Sequence, residues 1–281
     1  MNNTIYETRY ANGPASVKHY DTKALRDEFL IHNLMQSDTI IWVYTHYDRY
    51  MVGSAVPIKK SLTLEAIDPL KAKNFLDRRE LGAINVGGPG SINVDGTTYS
   101  LGYKDALYIG KDSKNVVFNS DDANNPARFY LNSAPAHHAF PTKSVTKEQA
   151  KKLKLGAMET ANARTVYQMI LSGVVETCQL QMGMTELKPG SVWNTMPAHV
   201  HDRRMEIYFY FEIPEEQAVC HFMGPVNETR HIWMQNHQAV ISPPWSIHSG
   251  SGTSNYTFIW GMAGENLDYS DMDTAKITEL K

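Results

Sequence analysis

Pro197 Ala198 His199 Val200 His201 Asp202 Arg203 Arg204 Met205 Glu206 Ile207 Tyr208 Phe209 Tyr210 Phe211 reads as two extended pieces joined by a tight connection. Side chains alternate along a strand, so His199 and His201 project from one face and a single ion can touch both. The β-branched and aromatic run Ile207–Phe211 predicts a strand, with Glu206 at its head. A turn through Asp202 and the two arginines would fold that strand back beside the first and bring the carboxylate to the imidazoles. Further on, His248 lies in Ser242 Pro243 Pro244 Trp245 Ser246 Ile247 His248 Ser249 Gly250, where prolines and a glycine bracket a short extended piece.

Three imidazoles and a carboxylate suit a first-row divalent ion such as Zn, Fe, Mn, Ni or Co, and the ligands alone do not choose among them. A closed, purely structural zinc is the competing reading. A chain of this size needs no metal staple, structural sites favour cysteine, and an imidazole and carboxylate set can open its coordination to a substrate oxygen. An open, functional metal is therefore the expectation.

The chain has 281 residues, enough for one large core or two modest ones. With 27 Lys and Arg against 30 Asp and Glu, the formal charge is -3, and no local basic cluster compensates. Nucleic acid is therefore not an expected partner. The first residues lack the apolar core of a signal peptide, and no run approaches the roughly 20 apolar residues of a membrane span. A cytoplasmic location with no membrane partner is expected. Cys178 and Cys220 are read as buried free thiols rather than a disulfide.

Along the chain, Asp21 caps an expected amphipathic helix over Thr22–Asn33, with Leu25, Phe29 and Leu30 on one face. A short helix is expected from Asp68 to Leu76, and another after a capping box at Thr146–Gln149, running to about Leu153. Strands dominate elsewhere. Gly87–Gly90 lacks the helix and lysine of a phosphate-cradling loop and is read as a strand connection, and Asp95–Gly96 as a hairpin turn. The order of strands from Lys104 resembles that from Gln238, a faint internal repeat that suggests two stacked barrels. Matching Ala106 to Ala239 without gaps sets Asn115 opposite His248, and no His-x-His precedes it. The expected organisation is a mainly β fold with few short helices: residues 1–155 as a barrel without metal, 156–281 as the metal-binding barrel. His137 and His138 are adjacent and would point to opposite faces, so no second metal site is read there. His221, His231 and His237 are assigned no role.

His-x-His, then Glu, then a distant His after a proline turn is the metal signature of the cupin barrels. With Arg79 Glu80 Leu81 Gly82, Asp105 Ala106 Leu107 Tyr108 and Glu228 Thr229 Arg230 His231, the chain from about Tyr20 resembles the 5-keto-4-deoxyuronate isomerases (4-deoxy-L-threo-5-hexosulose-uronate ketol-isomerases), a bicupin family. The resemblance implies tandem cupin-type jelly-roll barrels, zinc at one ion per subunit, a hexamer, and a sugar-acid substrate from pectin breakdown. It implies an aldose–ketose isomerisation of 5-dehydro-4-deoxy-D-glucuronate to 3-deoxy-D-glycero-2,5-hexodiulosonate, with the metal stabilising an enediolate.

Such chemistry also needs an acid/base and a cation for the substrate carboxylate. The acid/base is left open among Glu186, Tyr208 and Tyr256, and a hydride shift would need no carbon base. Arg164, Arg203 and Arg204 are candidates for the carboxylate, with at most one of the adjacent pair pointing inward. Trp245 and Trp260 are candidates for the pocket wall. Two other functions fit the same motif: a metal-dependent cupin dioxygenase and a non-catalytic sugar-binding cupin.

Overall fold

Arg79–Asn85 and Arg204–Phe211, buried along their whole length, form inner strands of two seven-stranded sheets. The computed structural model describes residues 4–281. They form two compact units.

In the first unit, the large sheet has the order Thr4–Arg9, Ile40–Thr45, Met51–Ala55, Phe129–Pro135, Arg79–Asn85, Ala106–Ile109, Lys143–Val145. A four-stranded sheet of Leu62–Thr63, Val116–Ser120, Gly90–Val94 and Thr97–Leu101 completes the barrel. Its interior is apolar: Trp42 stacks on Phe75 at 4.8 Å between ring centres, and Leu81, Ala83, Leu107, Ile109 and Phe118 pack in the same core. Glu80 alternates to the other face. There its carboxylate, wholly buried, accepts from the Tyr108 hydroxyl and the amides of Cys178, Gln179 and Leu180 at 2.7–2.8 Å.

The second unit repeats the plan. Its large sheet runs Lys151–Leu155, Arg164–Ile170, Gln181–Leu187, Thr257–Gly264, Arg204–Phe211, Gln238–Ser242, Leu30–Ile31, and its small sheet runs Trp193–Asn194, Ser249–Gly252, Val219–Met223, Arg230–Met234. The registers carry the repeat to single residues. Ala106 pairs with Ile84 and Ala239 with Phe209, each partner being sixth in its strand, so the gapless match of Ala106 to Ala239 holds. Asn115 then stands just before its strand, as His248 does. The mainly β architecture of two tandem cupin-type barrels with short helices is the one the sequence predicts.

Several local expectations change. The units do not divide at one point between 155 and 156: Tyr10–His32 belongs to the second and Met169–Met182 to the first. The helix opened by Asp21, which accepts from the Ala24 amide, ends at Phe29 because Leu30–Ile31 leaves it to pair with Gln238–Ser242. The Asp68–Leu76 helix is instead two 3-10 turns, Asp68–Leu70 and Phe75–Asp77. The capping-box bonds between Thr146 and Gln149 form, yet the chain continues as the strand Lys151–Leu155. Both cysteines are free, though half-buried rather than buried. No helix among the described residues is long and apolar enough to cross a membrane.

Candidate metal centre

His199 sits in the short strand His199–Val200 and His201 one residue past it. That strand pairs with Asp273–Thr274 near the C-terminus, not with the Glu206 strand as the tight turn suggested. The turn itself exists, closed by the Arg204 amide on the His201 carbonyl at 3.1 Å. It redirects the chain so that Glu206 rises from Arg204–Phe211, between Gln238–Ser242 and Thr257–Gly264. His248 enters from the connection after Gln238–Ser242.

The four side chains meet. Oε2 of Glu206 lies 3.1 Å from Nε2 of His201 and 2.9 Å from Nε2 of His248, and Nε2 of His248 lies 3.0 Å from Nε2 of His199. One ligand atom from each lies within 4.8 Å of every other. The far ring nitrogens are held from behind: Nδ1 of His248 by the Ser242 hydroxyl at 3.2 Å, and Nδ1 of His201 faces the Arg204 carbonyl at 3.5 Å. Such outer contacts fix ring orientation and aim lone pairs inward. Burial and the neighbouring His248 push His199 down to about 2, so its ring is neutral. Burial alone would raise the Glu206 carboxyl, but His248 and hydrogen bonds from both imidazoles hold it below the ordinary carboxylate range. Freed of those protons, the rings of His199, His201 and His248 and the Glu206 carboxylate turn lone pairs toward one point. The cluster could therefore bind a metal, and its donor set fits a divalent ion.

The cluster borders a cavity of about 250 Å³. Strand alternation decides what else reaches it: Arg164 and Val166, Thr185, Glu206 and Tyr208, and Phe258, Trp260 and Met262 all line it. Arg164 is the one cation in this lining, and burial lowers its guanidinium from the ordinary value. Tyr208 also faces the cavity and shares a hydrogen bond with Thr195 at 2.8 Å. Burial, then the Glu206 charge, raise its phenol well above the ordinary value, which makes it a hydrogen-bond donor.

The other candidates lie elsewhere. Glu186, on the opposite face from Thr185, accepts from the Tyr167 hydroxyl at 2.9 Å and does not line the cavity. Tyr256 is buried away from the cavity lining, where its hydroxyl accepts from Asn194 at 2.6 Å. Arg203 forks onto the Asp271 carboxylate at 2.5 and 2.6 Å, and Arg204 donates to the backbone carbonyls of Asp268 and Asp271; both are used up in anchoring the C-terminal segment. Trp245 donates to the Asn12 carbonyl at 3.1 Å and packs edge-on against Phe29. Of the two tryptophans, Trp260 forms wall. The lining also includes Thr195, Tyr269, Met272 and Thr274, which the sequence analysis did not pick out. Thr195 could have been found by its position just before the His199–His201 segment; Tyr269 and Met272 lie in irregular chain and Thr274 in a two-residue strand, too short for a period to be read. His221, assigned nothing, is buried and bonded through Nδ1 to the Tyr210 hydroxyl at 2.8 Å.

The family model described as KduI/IolB matches residues 30–277. The chain belongs to the KduI/IolB family. A 4-deoxy-L-threo-5-hexosulose-uronate ketol-isomerase from Formosa agariphila is 73% identical over 278 residues, 99% of each chain. A ketol-isomerase of the same description from Bacteroides fragilis is 58% identical over 99% of each. Among solved structures, an IolB-like protein from Salmonella typhimurium superposes with a TM-score of 0.72 at 15% identity, covering 88% of this chain and 96% of its own. Tomato vicilin shares the double barrel at a TM-score of 0.55 and 9% identity, over 78% of this chain and 76% of its own. These two likenesses concern the fold of the KduI/IolB chain alone.

Proposed function

We propose that this chain is a 4-deoxy-L-threo-5-hexosulose-uronate ketol-isomerase, converting 5-dehydro-4-deoxy-D-glucuronate to 3-deoxy-D-glycero-2,5-hexodiulosonate in pectin and uronate breakdown. The observation that carries this reading is the convergence of His199, His201, Glu206 and His248 on a cavity whose one lining cation is Arg164. Those four residues would hold zinc, one ion per subunit. When bound, the ion supplies Lewis-acid stabilisation for negative charge developing on the sugar oxygens as the carbonyl moves.

The remaining steps fall to the protein. Arg164 binds the substrate carboxylate through its guanidinium fork. Tyr208, kept protonated by burial, donates a hydrogen bond to a sugar oxygen. Trp260, Phe258 and Met262 wall the cavity and exclude water. An enediolate route moves the hydrogen as a proton and needs a base. The lining favours a second route: beyond the four convergent ligands its titratable groups are Arg164, Tyr208 and Tyr269, none of them a base at neutral pH. In that route the hydrogen passes as a hydride between adjacent carbons while a proton moves between their oxygens. Turnover in D₂O separates the two, since carbon-bound deuterium in the product marks proton transfer.

The same reading makes the first unit a barrel without metal, because Leu81 and Asn115 stand at the positions of Glu206 and His248. A hexamer in the cytoplasm goes with it, on the strength of the family membership. The test is an anaerobic isomerase assay beside elemental analysis. Turnover without oxygen that tracks bound metal is expected. A requirement for oxygen would replace this reading with a dioxygenase, and ligand binding without turnover would replace it with a sugar-binding protein.

A further inference from the structure

A cavity of about 260 Å³ opens on the first unit, and its charged lining is of one sign. Arg49, Arg78 and Arg79 reach it, Tyr44, Leu70 and Phe75 contribute to its walls, and neither Asp nor Glu is in its lining.

Arg79 is the unusual member. It is only 5% exposed, and its bonds all go to neutral acceptors: Nε to the Ser133 hydroxyl at 3.0 Å, and Nη2 to the carbonyls of Ser133 and Arg49 at 2.8 and 2.7 Å. Nη1 has no hydrogen-bond partner among the described residues. The adjacent Glu80 points to the opposite face, where four donors occupy its carboxylate. Burial lowers the Arg79 guanidinium to about 10, only partly offset by the nearby tyrosines and by the Glu80 charge, which makes no hydrogen bond to it.

The other two arginines are exposed and likewise bond only carbonyls. Arg78 donates to Leu70 and Lys71, and Arg49 to His46 at a marginal 3.5 Å. The second barrel offers the contrast. Arg204 opens its inner strand as Arg79 does, but there the C-terminal segment lies against the guanidinium, which donates to the carbonyls of Asp268 and Asp271 and feels the charges of Glu206 and then Asp271. In the first unit Arg79 borders an open cavity instead. Burying a guanidinium without a counter-ion is costly, and a planar fork of donors matches carboxylate and phosphate oxygens.

We propose that this cavity is a binding site for a small oxyanion, a carboxylate or phosphate group on a soluble molecule, gripped by Arg79 from below and by Arg49 and Arg78 from the rim. It is independent of the metal cavity and of the isomerase reading. Its volume suits a small metabolite, a little under the usual range of about 300–1,000 Å³ for ligand pockets.

Calorimetric titration of the purified full chain at low ionic strength, once with inorganic phosphate and once with acetate, tests it. One saturable site per chain is expected, weakened at least about tenfold by Arg78→Ala and by Arg49→Ala, each worth a charge-assisted hydrogen bond. The anion that binds more tightly names the source chemistry. Arg164→Met, which removes the cation of the other cavity, is expected to leave this site intact. Because Arg79→Met removes three bonds and could unfold the barrel, the two rim variants decide the matter. No saturable binding of either anion overturns the proposal, as does binding lost in Arg164→Met but kept in Arg78→Ala. A sedimentation change in Arg78→Ala without anion binding overturns it too, and makes the cavity a contact between subunits.

Discussion

Leu81 stands in the first sheet where Glu206 stands in the second. Each is third in its inner strand; Leu81 pairs with Ile109 and Ser133, Glu206 with Ser242 and Met262. One position thus feeds an apolar core in one barrel and a ligand cluster in the other. The metal reading turns on this difference, because the second barrel keeps a core of its own around the buried rings of Tyr210, Tyr256 and Phe258, which contact one another.

Loss of one ligand should therefore remove activity and spare the fold. His248→Ala is expected to lower kcat/KM by about 10²–10³-fold, the scale for deleting one group that stabilises transition-state charge. Chelation should do the same, with the circular dichroism spectrum unchanged. A spectrum that collapses along with activity would make the ion a structural staple.

Arg164 should act on binding. A charge-assisted bond worth about 1.5–3 kcal/mol corresponds to a KM raised about ten- to a hundredfold in Arg164→Met, with kcat little altered. Equal loss in kcat and kcat/KM would instead give Arg164 a role confined to the transition state.

Tyr208 should act on rate. Tyr208→Phe keeps the ring against Phe258, 4.6 Å away, and removes only the hydroxyl bonded to Thr195. A fall in kcat of about tenfold or more is expected for one lost hydrogen bond to a developing charge. Because its phenol is raised, the wild-type profile should show no Tyr208 titration below pH 10; unchanged kcat in the variant would leave Tyr208 as wall.

Glu80 should matter to stability alone. Glu80→Gln turns an amide nitrogen toward donors that now meet a carboxylate, and two or more bonds of about 1.5–3 kcal/mol each are lost. A lower apparent Tm with unchanged metal content is expected; an unchanged Tm would mean that the segment at Cys178–Leu180 can hold its place without the carboxylate.

Acid should loosen the C-terminal segment. The Arg203 fork, and then Asn266, hold Asp271 below its ordinary value, so the unfolded chain takes up a proton there before the folded one does. Its contribution is present above the unfolded value of about 3.9 and fades as pH falls through the lower folded value. Asp271→Asn should lower Tm at pH 7, and the gap from wild type should begin to narrow only as pH falls below about 4. A gap independent of pH would mean that packing, not charge, ties Asp271 down.

The fold and the clustering of His199, His201, Glu206 and His248 were legible for local reasons. His199 and His201 stand one residue apart, Glu206 heads an aromatic run, and the repeat through Ala106 and Ala239 sets the register. What escaped depends on segments distant in the chain. Nothing near Arg203 and Arg204 tells that Asp268 and Asp271 would come back to claim them, and Tyr269 reaches the cavity from a stretch without period. Glu186 failed as a candidate through alternation alone, since Thr185 beside it faces the cavity.

The strand Leu30–Ile31 carries a consequence for synthesis. It is made long before its pairing partner, Gln238–Ser242. Until then its apolar residues have no sheet to join, and the second barrel cannot close before Ser242 has emerged. A polypeptide starting at residue 156 would expose a bare, hydrophobic sheet edge, so the two halves of this duplicated protein, however alike in plan, are not interchangeable parts.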